Sequence, residues 1–438
     1  MDQMTASKHV SIVGTGYVGM ASAIGFAALG HRVTGYDIMP ERVRALQRGV
    51  TPYREAGIEA ALRGHLAAGN VRFVEDVGPA VAGADYVVVA VGTPASPDGA
   101  ADLSAVYAAL DALVPHLRAG TTVVLRSTVP AGTTDLLAAR YPVEFVYAPE
   151  FLREGAAVAD FLNPDRIVVG ARTNEGGAAY AALLRELERP FIVTSYRNAE
   201  LIKGFSNAFL AMKISFANEV ASMCDALGAD AGDVLHGVGH DRRIGPAFLA
   251  PGIGFGGPCF EKDVQSLHHA ATRLGSGREL LGATMRVNTA QPQRIVAMLA
   301  EALGGLQGAH VAVWGLTFKA GTDDVRDSLA LRIVADLVAR GAAPVAYDPA
   351  VAPGTERLGC EVVGSALGAL ERTDALLVLT EWPEFAAVSP WAIAARLRRR
   401  IVVDGRNVLD PQACADAGLR YRGVGRTPGT GIRLERVS

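Results

Sequence analysis

Between His9 and Asp37 the chain runs through an apolar stretch, a glycine turn, an alanine-rich stretch and a second apolar stretch that ends in an acid. The first stretch is His9-Val10-Ser11-Ile12-Val13, the turn is Gly14-Thr15-Gly16-Tyr17-Val18-Gly19, and the second stretch is Arg32-Val33-Thr34-Gly35-Tyr36. Few folds accept a glycine turn between a strand and a helix. The first glycine makes the tight turn, the second lets phosphates approach the backbone, and the third lets the helix pack on the strand. The helix N-terminus then offers its N–H groups and positive dipole end to those phosphates. This predicts a parallel α/β sheet with a dinucleotide at the strand ends, held by Gly14, Gly16 and Gly19. Asp37 is placed to accept a bond from the ribose 2′-hydroxyl and to repel a 2′-phosphate, so NAD is expected over NADP. Arg42 and Arg44 weaken that preference.

The pattern continues down the chain. Residues 85–91, 121–126, 144–148, 165–170 and 190–194 read as further buried strands. Gly92, Thr93, Ser127 and Thr128 follow two of them and fall at the edge of the cofactor crevice. Residues 310–315, 344–348 and 374–380 repeat the opening pattern, so a second βαβ domain is expected. Its turn reads Gly315-Leu316-Thr317-Phe318 and lacks the three-glycine pattern, which argues against a second dinucleotide. Between the two lies a run from about Asn198 to Leu227 with apolar residues at Leu201, Phe205, Phe209, Met212, Phe216, Val220 and Met223. That spacing is one long amphipathic helix, with Lys203 and Asn207 one turn apart and offset from the stripe. The expected architecture is therefore α/β: two Rossmann-like doubly wound domains, 1–196 and 301–438, joined by a central helical domain, 197–300.

A chain of 438 residues that is 50% hydrophobic exceeds one ordinary core, which agrees with that division. The net charge is −3 with both signs interspersed, so no basic block marks a nucleic-acid or membrane surface. Cys224, Cys259, Cys360 and Cys414 lie far apart without CxxC pairing, and the histidines show no metal spacing, so no metal site or disulfide framework is expected and a reducing cytoplasm fits. The longest apolar stretch, residues 18–29, is too short to span a bilayer. Past Gly423 the tail shows no periodic pattern and is expected to be mobile.

Two stretches carry reactive groups. Gly254-Phe255-Gly256-Gly257-Pro258-Cys259-Phe260-Glu261-Lys262-Asp263 sets a cysteine after close-packed glycines, with an aspartate four residues on. A helix beginning at Pro258 would put Cys259 and Asp263 on one side and favour the thiolate at its N-terminus. Alone, Cys259 reads either as a small buried hydrophobe or as a nucleophile. Pro149-Glu150-Phe151-Leu152-Arg153-Glu154-Gly155 spaces two carboxylates four apart, so a helix there would align them, either as a solvated face or as ligands for substrate and water.

The cysteine stretch closely resembles the motif of the UDP-glucose/GDP-mannose 6-dehydrogenases, usually Phe-Gly-Gly-Ser-Cys followed by Lys-Asp. Pro258 stands where Ser is commoner, and Glu261 where Pro often is. The 149–155 stretch, the Lys203-x-x-x-Asn207 pair, the run Gly315–Ser328 and Asp404-Gly405-Arg406-Asn407 are similar to that family's other signatures, in the expected order from Val10 to about Asp410. The cysteine version and Phe248-Leu249 look more like the UDP-glucose branch than the GDP-mannose one. The resemblance implies cofactor contacts at Gly14, Gly16, Tyr17, Val18, Gly19, Asp37, Gly92, Thr93, Ser127, Thr128, Glu154, Lys262 and Arg326. It implies substrate contacts at Glu150, Phe151, Leu152, Arg153, Glu154, Lys203, Asn207, Arg243, Phe248, Leu249, Gly256, Phe260, Phe318, Lys319 and Arg406. Arg243 would serve a partner subunit's site, so a homodimer or higher homo-oligomer is expected.

A thiol beside an NAD site suggests oxidation of an alcohol to an aldehyde, capture by Cys259, a second oxidation to a thioester, and hydrolysis. Lys203 and Asn207 would stabilise the oxyanion, while Asp263, Glu154 and Thr128 would place or activate water. Either carboxylate could take the first proton. GDP-mannose, TDP-glucose and UDP-N-acetylhexosamines are alternative substrates. A dehydrogenase making one hydride transfer, of the 6-phosphogluconate or 3-hydroxyacid type, would not need Cys259. A catalytically silent nucleotide-sugar sensor would be marked by loss of Cys259, Lys203 or Asp263, and all three are present.

Overall fold

The computed structural model describes residues 7–356 and 358–426. These form two compact units, Met1–Ser206 and Asn207–Ser438. In the first unit the strands are β1 (His9–Val13), β2 (Arg32–Tyr36), β3 (Val71–Val74), β4 (Tyr86–Val89), β5 (Thr122–Leu125), β6 (Glu144–Tyr147), β7 (Ile167–Ala171) and β8 (Phe191–Thr194). They make one sheet of order β3-β2-β1-β4-β5-β6-β7-β8. All neighbours are parallel except β6 and β7. Valine-rich runs such as Tyr86–Val89 suit strands covered on both faces, and two apolar clusters pack the two sides. Val71–Val74 carries too short a pattern to stand out in the sequence.

The second unit contains β9 (His310–Trp314), β10 (Ala343–Tyr347), β11 (Glu361–Val362), β12 (Ala375–Val378), β13 (Ile401–Asp404) and β14 (Arg420–Gly423). Their order, β11-β10-β9-β12-β13-β14, repeats that of the first six strands of the other sheet, and every pair is parallel. Past Gly423, Val424 is buried, and its N–H donates to the Asn407 side chain at 2.9 Å, so this part of the tail is fixed. The rest of the tail expected to be mobile lies outside the described residues.

The helices that matter for the site are α1 (Tyr17–Ala28), α2 (Thr133–Arg140), α3 (Ala157–Leu162), α4 (Tyr196–Leu227), α5 (Phe260–Leu274), α6 (Glu279–Leu303) and α7 (Leu329–Ala339). The boundary between the units falls inside α4, the 32-residue helix foreseen from periodicity. Its expected apolar stripe exists, but it faces outward. Phe205, Phe209, Phe216 and Met223 are between 48% and 61% exposed, while the buried face carries Ala199, Ala208, Ala211, Ala217 and Ala221 with Lys203 and Asn207. Small residues allow close packing on the inner face, and the large ones are left exposed. No helix among the described residues is long and apolar enough to cross a membrane.

Candidate active site

The glycine turn of the first unit is closed by protein on two sides and open on one. Gly14 has φ 91°, and a Cβ there would sit 2.8 Å from the Ala90 carbonyl oxygen; on Gly19 it would sit 1.9 Å from the Gly14 oxygen. A Cβ on Gly16, the residue before α1, would meet nothing within 4 Å. That open face beside the first N–H groups of α1 has room for a phosphate. Asp37 accepts from the Thr15 N–H at 2.8 Å, the Thr15 hydroxyl at 2.9 Å, the Met39 N–H at 3.1 Å and Arg42 at 2.9 Å. Burial by itself would push its carboxyl up; these donors outweigh burial and hold it below the ordinary value, hence ionised. Arg44 pairs with Glu75 instead. An open glycine face followed by an ionised acid fits NAD. Tyr53, which the sequence reading missed, stands edge-on to Tyr17 and donates to its carbonyl at 3.4 Å.

At the ends of β4 and β5 the hydroxyls turn inward. Thr93 Oγ1 donates to the Thr128 carbonyl at 2.7 Å and Ser127 Oγ to the Val91 carbonyl at 2.7 Å. Both therefore tie the loop, and Thr128 itself is half-buried.

The helix expected over Glu150 and Glu154 does not form. Residues 149–156 are loop, and α3 starts only at Ala157. Glu150 Oε2 accepts from the Leu152 N–H at 2.6 Å, a local bond that competes with helix, and Gly155 takes φ 86°. Neither carboxylate lies on a solvated face, since both are buried. Glu150 Oε1 instead meets Lys203 Nζ at 2.9 Å, and Lys203 is 3% exposed. Desolvation works against the charged Glu150, yet Lys203, the Leu152 N–H and Arg126 prevail and depress its pKa. The Phe151 ring lies under two cations, Arg166 at 4.1 Å and Lys203 at 5.4 Å. Arg153 points out and is tied to Asp160 at 2.7 Å.

In the second unit the loop that leads to Cys259 is clamped by buried amides. Asn288 on α6 accepts from the Phe255 N–H at 2.8 Å and donates to its carbonyl at 2.9 Å. Gln291 donates to the Gly252 carbonyl at 2.7 Å, and Asn218 on α4 accepts from the Gly252 N–H at 2.7 Å. The signal available in the sequence was amides inside otherwise apolar helical spacing. The helix after the loop starts later than expected: Pro258 precedes it, and Cys259 is its N-cap. Asp263 N–H donates to the Cys259 carbonyl at 3.0 Å, so the two residues flank the first turn as the i, i+4 spacing required. The Asp263 carboxylate is buried between Asn207 Nδ2 at 2.6 Å and Lys262 Nζ at 2.5 Å. Cys259 is half-buried, and none of the four cysteines is in a disulfide.

Glycine is required under this loop because the neighbouring turn lies on it. A Cβ on Gly256 would come 2.6 Å from the Asp327 carbonyl oxygen, and one on Gly257 2.6 Å from the Phe318 ring. Arg406 joins the pieces: its guanidinium donates to the carbonyls of Leu379 at 3.0 Å, Gly254 at 3.4 Å and Phe318 at 3.4 Å. Lys319 lies 5.5 Å over the Phe318 ring. Phe248, at φ 64°, stands 6.0 Å from Phe260, and Leu249 is buried. Arg326 and Arg243 are not gathered with these. Each is exposed and forked on an aspartate two residues earlier, Asp324 at 2.5 Å and Asp241 at 2.6 Å.

A glycine turn with an ionised acid after it fits a nicotinamide-dependent dehydrogenase. Family models describing the UDP-glucose/GDP-mannose dehydrogenase NAD-binding, central and UDP-binding domains match residues 8–191, 197–290 and 312–411. The UDP-glucose 6-dehydrogenase TuaD of Bacillus subtilis is 38% identical over 430 residues, 96% of this chain and 93% of that protein. The UDP-glucose 6-dehydrogenase of Rhizobium meliloti is 39% identical over 433 residues, 95% and 99% of the two. The solved UDP-glucose dehydrogenase of Pyrobaculum islandicum superposes with a TM-score of 0.90 at 39% identity, covering 97% and 99% of the two chains. The chain belongs to the UDP-glucose/GDP-mannose dehydrogenase family of NAD-dependent nucleotide-sugar dehydrogenases.

Proposed function

We propose that the enzyme oxidises UDP-glucose to UDP-glucuronate in two hydride transfers, R–CH2OH + 2 NAD+ + H2O → R–COO− + 2 NADH + 3 H+. The observation that carries the four-electron reading is Cys259 at the start of α5, half-buried at the end of the clamped glycine loop, with the buried Asp263 one turn on. The choice of UDP-glucose rests on relatives of that name matching nearly the full chain. Bound NAD supplies the hydride acceptor for both oxidations. A carboxylate removes the C6 hydroxyl proton as the first hydride leaves. Cys259 Sγ then bonds to the aldehyde carbon, giving a thiohemiacetal whose oxygen is stabilised by Lys203 and Asn207. Loss of the second hydride leaves a thioester. Water held by Asp263, Glu154 and Thr128 attacks its carbonyl carbon, the C–S bond breaks, and the acid is released with the thiol restored. Glu150 anchors Lys203 in a buried setting through the 2.9 Å contact.

In this reading residues 1–196 bind NAD, 197–300 carry the catalytic helices and self-association surface, and 301–438 hold the nucleotide sugar, with Lys319 and Arg406 as its cations. The exposed stripe on α4 supports a homodimer or larger homo-oligomer, to which Arg243 contributes across subunits, and four cysteines outside any disulfide suit a cytoplasmic enzyme. The deciding experiment counts NADH formed per limiting UDP-glucose. Two is expected. One would remove the thioester route, and none, with turnover of GDP-mannose or a UDP-N-acetylhexosamine, would move the substrate assignment.

A further inference from the structure

Glu200 takes no part in the chemistry above, yet it is one of the most deeply buried carboxyls of the first unit, 2% exposed on α4. Both of its oxygens accept hydrogen bonds. The Gly132 N–H donates to Oε2 at 2.6 Å, the Thr134 N–H to Oε1 at 2.8 Å, and the Thr134 hydroxyl to Oε1 at 2.7 Å. Those groups form the N-terminus of α2, whose N-cap is Gly132 at φ 93° and has no side chain to satisfy the first-turn N–H groups. Glu200 supplies the cap from a distant helix, and a carboxylate there also complements the dipole. Burial pushes the Glu200 carboxyl up, and the Thr134 and Gly132 bonds oppose that rise.

The loop leading into α2 is 127–132, which contains Thr128. Its near end is tied to the end of β4 by Ser127 and Thr93. Its far end is tied by Glu200 to the same stretch of α4 that carries Lys203 three residues later. We propose that Glu200 is a positioning residue that fixes the Thr128 loop relative to Lys203, so that water and oxyanion donor act on one reacting carbon. This rests on the roles given above to Thr128 and Lys203. A carboxylate serves where an amide would not, because one glutamine oxygen cannot accept all three bonds.

The test uses Glu200→Gln and the milder Thr134→Val, which removes only the hydroxyl bond. Folding is checked by thermal unfolding, and exchange of the amides in the 128–136 peptide is followed without substrate. In Glu200→Gln, faster exchange of that peptide is expected, with kcat for NADH production lowered about 10–100-fold and the KM for NAD within about twofold of the parent, since a misplacement near 1 Å costs rates of that order. Thr134→Val should fall between. Acid-quenched Glu200→Gln should carry the substrate acyl group on Cys259, and adding Thr128→Ala should cost nothing more. Unchanged exchange overturns the clamp whatever the substrate. Unchanged kcat in folded protein, or losses that multiply in the double variant, overturn the positioning role. If the parent enzyme itself forms no NADH from UDP-glucose, the proposed function fails, and the exchange result still decides the clamp.

Discussion

At the scale of single residues the same amino acid answers to different neighbours. Gly16 and Gly19 look alike in the sequence, but one faces open space and the other the Gly14 carbonyl oxygen. Gly16→Ala is therefore expected to fold normally and raise the KM for NAD at least tenfold, because the methyl group occupies the phosphate side of the turn. Gly19→Ala forces backbone apart and should lower stability by about 1–3 kcal/mol or more, read by urea unfolding. Lys203 shows the other kind of dependence. Lys203→Ala should lower kcat by about 10²–10³ while NAD affinity stays near the parent value. It should also cost about 3–5 kcal/mol of stability, because Glu150 is left as a buried uncompensated charge. The pair has a pH signature. The Glu150 pKa is depressed in the folded state, so the pair's stability is present above the unfolded carboxyl value of about 4.3 and is lost as pH falls below it. Urea melts at pH 6 and pH 3 should show a larger loss in the parent than in a Lys203→Met, Glu150→Gln double variant, in which Asp37, also depressed, still contributes its own acid-induced loss.

At the scale of elements, α4 shows why periodicity alone does not say which face is inside. The heptad-like run from Leu201 to Met223 was legible, and so was the helix. Its outward orientation was not, because the inner face is built from alanines that carry little hydrophobic signal yet allow close packing. An exposed stripe of this kind is a surface for another protein, and the proposed occupant is a second copy. Phe209→Glu with Phe216→Glu is expected to shift the enzyme to monomer in sedimentation velocity; a parent protein that is already monomeric would remove that reading. The 149–156 loop is the converse case. Glu150 and Glu154 have helical spacing, but the Glu150 bond to the Leu152 N–H and the left-handed Gly155 make a loop that buries both. A one-dimensional spacing rule has no view of such a bond.

At the scale of the whole chain, two sheets share one strand order, and only the first has the open glycine face. In the second, Thr317 stands where the first has Gly16, and its N–H and hydroxyl are bound to Asp348 at 3.0 and 2.9 Å, so a side chain occupies the place of the open glycine face. Calorimetric titration should accordingly give one NAD per chain, and two would contradict the assignment of the second sheet to the nucleotide sugar. The sequence by itself determined the two βαβ repeats, the cofactor turn, the long helix and the residues with reactive side chains, because each of these depends on short-range spacing or on chemistry that a single residue carries. Only the tertiary structure decided which carboxylates are paired and buried, that Cys259 caps α5 rather than lying within it, that α4 shows its phenylalanines to solvent, and that Asn288, Gln291 and Glu200 clamp loops they are far from in sequence. Those outcomes depend on which backbone groups long-range packing leaves without a partner, and that is settled only when the sheets and helices have come together.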